Sequence, residues 1–306
     1  MPRPYLQLDV FAARAGTGNP LGVVFDAGDM STATMQALAA WLNLSETIFF
    51  LPPDAGADYR IRIFTPGSEL PFAGHPSVGA AWTAVVHGLA TPRDGQLIQQ
   101  CQAGLLPVEI SGDHANPHVA VRSPRARLLQ EHAPLAGLDA IATPGQAAAL
   151  WNNGPSWWMV EAASPALVRS LKPDFAAIAA WTNATNSTGV AIFALEPEAD
   201  HDVVVRAFCP GDAVNVPEDP VTGSANALVG ALLHAQGRLP GQGGRYIASP
   251  GRELGRDGRV HVRVDAAGEH VLVAGVDDAI GGDAEAVGLP WGEERADGLA
   301  VDEHVG

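Results

Sequence analysis

One short unit occurs twice in the chain, and this repetition constrains the fold more than any other feature. Residues 62–67 read R-I-F-T-P-G and residues 206–211 read R-A-F-C-P-G. Each copy is followed by a loop that contains proline, a glycine and an apolar helical run, so each predicts a strand, a loop and a helix N-terminus. Four identities in six positions are weak support alone, but the shared order of elements favours a duplicated chain.

The two predicted helix N-termini indicate what such a chain could bind. The first turn of a helix leaves backbone N–H groups without partners and carries partial positive charge. If the two ends face each other, the cleft between them can hold a small carboxylate from both sides. We therefore expect a site for a small anionic metabolite between two similar halves.

The length and charge of the chain agree with two domains and a small ligand. A chain of 306 residues with 47% hydrophobic residues can bury large cores. We predict an N-terminal lobe at residues 1–124, a C-terminal lobe at 125–282, and a segment at 283–306 that is a tail or packs on a lobe. The net charge of −16 argues against nucleic acid as a partner, and it requires local dipoles to capture an anion.

Several classes of site are not indicated by the sequence. The apolar runs are too short for a membrane span and the first residues lack the apolar core of a signal peptide, so we expect no membrane contact and a cytoplasmic location. The ten histidines show no H-E-x-x-H spacing, and Cys101 and Cys209 form no C-x-x-C motif. Residues 241–244 lack the strand-to-helix context of a dinucleotide loop. We therefore expect neither a metal site nor a dinucleotide-binding loop.

The spacing of apolar residues predicts similar elements in both halves. In the first half we predict strands at residues 5–11, 21–25, 48–51, 59–64, 97–110 and 117–121, and helices at 29–44 and 76–88, with Ser31 as the first N-cap. In the second half we predict strands at residues 157–160, 190–195, 203–208, 246–248, 260–264 and 270–276, and helices at 164–171, 173–181 and 223–233.

A series of motifs connects the chain to a known family. In order they are G-N-P at 18–20, N-L-S-E-T at 43–47, F-T-P at 64–66, G-H at 74–75 and E-D-P-V-T-G-S-A at 218–225. Over about residues 5–280, this series closely resembles the PhzF-like family of the diaminopimelate-epimerase fold superfamily. The resemblance implies an α+β fold of two similar lobes, each a curved, mostly antiparallel sheet wrapped around a central helix. It also implies a cofactor-free active site between the lobes.

Glu46 is the candidate acid/base. It lies between an apolar helix and an apolar strand, where burial beside Phe49 and Phe50 would raise the pKa of its carboxyl. From spacing alone, a solvent-exposed glutamate at a helix end is the better interpretation. The resemblance reverses this preference, since the catalytic glutamate of the family occupies this place in the N-L-S-E-T motif.

The resemblance implies further site residues around the two helix ends. It gives His75 and Asp219 catalytic roles, in which His75 can donate to a substrate oxygen or assist proton transfer, and Asp219 can bind a substrate amine or hydroxyl. It gives Gly74, Gly223 and Ser224 a substrate-binding role through their backbone N–H groups. Without the motifs, helix capping is an adequate explanation for both His75 and Asp219.

The cysteines separate two branches of the superfamily. Epimerases and racemases of this fold use two opposed cysteines, one on each lobe. This chain has Ala73 before Gly74, and Val221 rather than cysteine in the second motif. Cys209 lies in the repeated unit, and the sequence leaves open whether it lines the cleft. One thiol cannot perform two-thiol chemistry, so we expect one carboxylate to remove and return the proton.

The sequence thus leads to two hypotheses about function. The first is a cofactor-independent isomerase that moves a proton within a small carboxylic acid, similar to trans-2,3-dihydro-3-hydroxyanthranilate isomerase. The alternative is a non-catalytic protein that binds or senses a small anion on the same fold. The resembling family includes dimers and the chain has seven tryptophans, so we expect a homodimer.

Overall fold

The computed structural model describes residues 3–275, apart from residues 13, 15, 134–137, 139–141, 145, 197–198, 212–213 and 215. The segment predicted as a tail at 283–306 therefore lies outside the described residues. No helix in the described ranges combines the length and apolar character needed to cross a membrane. The domain boundaries at residues 124 and 282 stay predictions.

The described part of the first half contains eight strands and two helices. The strands are β1 (Tyr5–Val10), β2 (Asn19–Val24), β3 (Glu46–Leu51), β4 (Tyr59–Phe64), β5 (Glu69–Leu70), β6 (Gln96–Cys101), β7 (Gly104–Gly112) and β8 (Pro117–Arg122). The helices are α1 (Thr32–Leu42) and α2 (Gly74–Val86). The side chain of Ser31 accepts a hydrogen bond from the Thr34 N–H, so Ser31 is the N-cap of α1 as predicted.

The described part of the second half contains nine strands and three α-helices. The strands are β9 (Arg127–Ala133), β10 (Ala148–Asn152), β11 (Ser156–Glu161), β12 (Gly189–Leu195), β13 (Val203–Cys209), β14 (Val216–Asp219), β15 (Arg245–Pro250), β16 (Val260–Val264) and β17 (Val271–Gly275). The helices are α3 (Pro165–Ser170), α4 (Phe175–Ala184) and α5 (Gly223–Ala235), and a 3-10 turn covers Arg252–Leu254.

The two halves repeat one pattern of strand pairing. In the first half, β1–β2 is antiparallel, β2–β3 parallel, β3–β4 antiparallel, β4–β6 parallel, and β6–β7–β8 antiparallel. The second half has the same order of antiparallel and parallel pairs, along the series β10, β11, β12, β13, β15, β16 and β17. Strands β8 and β17 join the lobes, with Val121 opposite Val273. The fold is therefore α+β, with two similar lobes and mostly antiparallel sheets.

Each lobe wraps its sheet around one central helix. In α2, residues 75–85 are all buried, and in α5 residues 225–233 are all buried. Helices that are apolar on every side require such an environment. The packing is close: a Cβ added to Gly79 of α2 would lie 2.5 Å from the Leu21 side chain of β2. Both helices pack into one continuous hydrophobic core.

The repeated unit positions the chain ahead of each central helix. In the first copy, Arg62 donates two hydrogen bonds to the Glu69 carboxylate, at 2.7 and 2.6 Å. In the second copy, Arg206 donates two hydrogen bonds to Glu218, both at 2.8 Å. Each guanidinium also lies over the phenylalanine two residues later. The repeat therefore extends through E-L-P-F-A-G-H at 69–75 and E-D-P-V-T-G-S at 218–224.

Strands β5, β9, β10 and β14 were not predicted from the sequence. β5 and β14 have two and four residues, too short for a periodic pattern. Within the described residues, β9 pairs with β10 alone, and it has two consecutive leucines, Leu128 and Leu129, that are both exposed. Its pattern therefore lacks the alternation that identifies a half-buried strand.

Candidate active site

The N-termini of the two central helices meet where the lobes contact each other. A Cβ built on Gly74 would lie 3.6 Å from the Cα of Gly223, and a Cβ on Gly223 would lie 3.6 Å from the Cα of Gly74. Neither N-cap residue, Ala73 or Thr222, provides a side-chain hydrogen bond to its helix. The peripheral helices differ, because they are capped by Ser31, Ser164 and Asp174. Helix starts without a side-chain cap offer backbone N–H groups that can bind an anion, and here two such starts face each other.

Glu46 is the first residue of β3, directly beside this junction. Asn43 adopts a left-handed conformation with φ 51° at the end of α1, which turns the chain into the strand. The Glu46 Oε2 atom lies 3.5 Å from the His75 Nε2 atom on α2. Both atoms are buried, and neither has a hydrogen-bond partner among the described residues. Two buried polar atoms in this state are typical of a site that a ligand completes.

The environment makes the Glu46 carboxyl hard to ionise. Burial and, to a smaller extent, the nearby Asp219 carboxylate together raise the pKa of Glu46 to about 8, against the opposing effect of a hydrogen bond from Ser45. Burial also lowers the pKa of His75 to about 3. At neutral pH the pair is therefore mostly a neutral carboxyl and a neutral imidazole, rather than a salt bridge.

A chain of hydrogen bonds links Asp219 to the segment that holds Glu46. Asn19 donates to the Asp219 carboxylate at 2.8 Å and accepts from the Ser45 hydroxyl at 2.9 Å. The Thr222 hydroxyl donates to the other Asp219 oxygen at 2.7 Å. Asp219 lies at the end of β14, and burial raises the pKa of its carboxyl. These contacts hold Asp219 of one lobe against Asn19 and Ser45 of the other.

The pseudo-symmetry of the lobes shows that the position equivalent to Glu46 carries no side chain in the second lobe. Thr47 pairs with Phe64 and Val190 pairs with Phe208, so Glu46 and Gly189 occupy equivalent positions. A Cβ at Gly189 would lie 2.3 Å from the Phe208 carbonyl oxygen and 2.5 Å from the Trp157 ring. Side chains are therefore excluded at Gly189, and the second lobe contributes its carboxylate from a different position, Asp219.

The thiol positions of the two-cysteine enzymes carry no sulfur here. Ala73 and Thr222 are the N-caps of α2 and α5, so Thr222, one residue after Val221, is the position that matches Ala73. Cys209 is buried, and its pKa is raised well above the usual value by burial and by the nearby Asp219 and Glu46 carboxylates. Cys209 therefore lies close to the site as an un-ionised thiol.

This arrangement predicts that activity does not depend on the cysteines. The double variant Cys101→Ser, Cys209→Ser should retain most of its turnover, because neither thiol occupies a helix N-cap and burial raises the pKa of both. Iodoacetamide should also leave the native protein active. A double variant that has a native circular dichroism spectrum but no turnover would contradict a carboxylate mechanism.

Two cavities adjoin the site. A groove of about 730 Å³ is lined by Asn19 and Ser45 on one lobe and by Pro220 and Arg256 on the other. A small cavity of about 20 Å³ lies at the helix ends, beside Gly74 and Gly223. This small cavity fits one water-sized group, so a whole carboxylic acid requires the groove or a separation of the lobes.

The structure brings together all six residues assigned from the sequence. Glu46, His75 and Asp219 lie around the junction that Gly74, Gly223 and Ser224 form. The hydroxyl of Ser224 already has a partner in the protein, because it accepts a hydrogen bond from the Trp157 indole at 3.1 Å. Asn19 was missed as a contributor, although its G-N-P motif was part of the resemblance. Within the described residues, no group of three or more His, Cys, Asp or Glu side chains is placed to hold a metal ion.

Comparisons with known proteins agree with this geometry. The family described as phenazine biosynthesis-like protein matches residues 8–280. The chain is 34% identical over 271 residues to the trans-2,3-dihydro-3-hydroxyanthranilate isomerase of Pseudomonas aeruginosa, covering 87% of this chain and 92% of that protein.

Two solved structures show the same fold. A PhzF-family protein of Bacillus anthracis matches with a TM-score of 0.78 and 24% identity, covering 90% of this chain and 96% of the other. A Pseudomonas aeruginosa protein described as a predicted epimerase matches with a TM-score of 0.71 and 28% identity, covering 90% and 95% of the two chains. The chain therefore belongs to the phenazine biosynthesis-like family, and it is an isomerase.

Proposed function

We propose that the protein moves a proton within a small carboxylic acid, without a cofactor, in a reaction similar to that of trans-2,3-dihydro-3-hydroxyanthranilate isomerase. The observation that supports this most is the Glu46–His75 pair beside two uncapped helix ends. The helix ends supply N–H donors for the substrate carboxylate, and the pair supplies a group that exchanges protons near neutral pH.

Glu46 acts as both base and acid in this mechanism. In its ionised form, Glu46 takes a proton from one carbon of the bound acid and returns it to another, so the substrate gains and loses no atoms overall. The pKa of about 8 leaves about one carboxyl in ten ionised at pH 7 in the free protein. The same raised pKa stabilises the protonated Glu46 carboxyl, which holds the proton between its removal from one carbon and its return to another. His75 and Asp219 orient polar substituents of the substrate.

Carbon–hydrogen exchange tests the proposal directly. Candidate acids, beginning with trans-2,3-dihydro-3-hydroxyanthranilate, are incubated with the protein in heavy water and followed by NMR. We expect deuterium to enter at a carbon of at least one acid. Tight binding without exchange across the set would instead favour the non-catalytic anion-binding protein, and it would contradict the enzyme mechanism.

The pH dependence of kcat/KM should report Glu46. Below its pKa, the carboxyl retains its proton and cannot act as a base, so activity should fall with decreasing pH through one ionisation near pH 8. Asp219→Asn removes the neighbouring carboxylate that raises the pKa of Glu46, so the midpoint should shift to lower pH. A flat profile from about pH 6 to about pH 9, or a shift to higher pH in the variant, would exclude Glu46 as the base.

We also propose that the protein is a cytoplasmic homodimer. Trp41 is 65% exposed and Leu129 is 55% exposed, and large apolar side chains at the surface support an interface. Sedimentation equilibrium at micromolar concentration should give twice the chain mass of 31.7 kDa. A species of 31.7 kDa alone would show that the protein is a monomer.

A further inference from the structure

The small cavity at the helix ends is lined by a polar side chain with no assigned role. Asn153 lies in the turn between β10 and β11, is 1% exposed, and lines the cavity with Gly74, Gly223 and Ser224. Its Oδ1 atom is buried and has no hydrogen-bond partner among the described residues. A buried amide oxygen without a partner is costly, which makes this atom a candidate ligand contact.

The orientation of the Asn153 carboxamide follows from its other contacts. The Nδ2 atom donates to the Ser224 carbonyl oxygen and to the Ser123 hydroxyl, both at 2.9 Å. A carbonyl oxygen can only accept, so the nitrogen must face Ser224 and the oxygen must point elsewhere. The cavity is therefore lined by the starts of both central helices, at Gly74 and Gly223, and by Asn153, whose Oδ1 atom is a buried acceptor with no partner among the described residues.

We infer that Asn153 is a specificity residue that selects carboxylic acids with an amine or hydroxyl next to the carboxylate. The helix ends bind the carboxylate, and Oδ1 accepts a hydrogen bond from the adjacent N–H or O–H group. The cavity of about 20 Å³ matches one such substituent. An apolar substituent of the same size would leave Oδ1 buried and unpaired, and sites of this kind reject analogues that lack the donor. This inference rests on the proposed binding of a substrate carboxylate at the helix ends.

Two probes of equal size test the selection. At the position next to the carboxylate, 2-aminobenzoate carries an amine that can donate a hydrogen bond, whereas 2-methylbenzoate carries a methyl group that cannot. Isothermal titration calorimetry should show that the wild-type protein binds 2-aminobenzoate about 5- to 10-fold more tightly, the effect of about one hydrogen bond. In Asn153→Leu this ratio should fall to about 1, chiefly through weaker binding of 2-aminobenzoate.

Asn152→Ala is the matched control. Asn152 is the last residue of β10, directly before this turn, but its side chain donates hydrogen bonds to Gly154 and Ser156, so the wild-type ratio of the two affinities should persist. Equal affinities in the wild-type protein, a preference for 2-methylbenzoate, or no binding of either probe would each overturn the inference without any variant. Binding requires no turnover, so a protein that prefers the amine but exchanges no deuterium would support Asn153 and contradict the proposed reaction.

Discussion

Glu46→Gln is expected to lower the exchange rate by about 10²- to 10⁴-fold, the usual contribution of a positioned acid/base group. The amide has nearly the shape of the carboxyl and cannot accept a proton from carbon. The measurement is deuterium incorporation into the active acid, followed by NMR at a pH above 8, where the wild-type carboxyl is ionised.

Glu269→Gln is the control for this substitution. Glu269 is exposed and pairs with Arg125 at the surface, so its loss should leave exchange unchanged. Glu46→Gln should remain folded, because its amide replaces a carboxyl that is mostly neutral in the native protein at neutral pH. Near-wild-type exchange in a folded Glu46→Gln protein would remove Glu46 from the mechanism.

Glu218→Gln should give the largest loss of stability. The Arg206–Glu218 ion pair is almost completely buried, with side-chain exposures of 5% and 4%. Removing one charge leaves the buried Arg206 guanidinium with only the more distant Glu253 carboxylate, at 4.0 Å, which should lower the free energy of unfolding by about 3–5 kcal/mol. Urea denaturation followed by circular dichroism measures this difference.

The first copy of the repeat offers a matched control for this ion pair. Arg62 and Glu69 make the same bidentate contact but are 20% and 24% exposed, so water compensates part of the loss. Glu69→Gln should therefore lower the free energy of unfolding by only about 1 kcal/mol. Equal losses in the two variants would show that burial does not set the strength of these pairs.

The main elements of the fold could be predicted from the sequence because they follow local periodicity. The strand predicted at 260–264 is β16, and the helix predicted at 223–233 is α5 extended to Ala235. The helix predicted at 29–44 is shorter, since α1 begins after its Ser31 cap. β9 was missed because its apolar pattern is not alternating, and β10, which pairs with both β9 and β11, has only five residues. The boundaries of the two lobes stay predictions.

The sequence by itself determined which residues stand at the helix starts and which motifs surround them, because caps, turns and apolar spacing are local properties. Only the tertiary structure decided how these residues meet. Asn19 and Asp219 are 200 positions apart, yet they share a hydrogen bond at 2.8 Å. The raised pKa of Glu46 likewise depends on burial and on a carboxylate from the other lobe. Desolvation and Coulomb interaction depend on distances in three dimensions, which the spacing of residues along a chain does not specify.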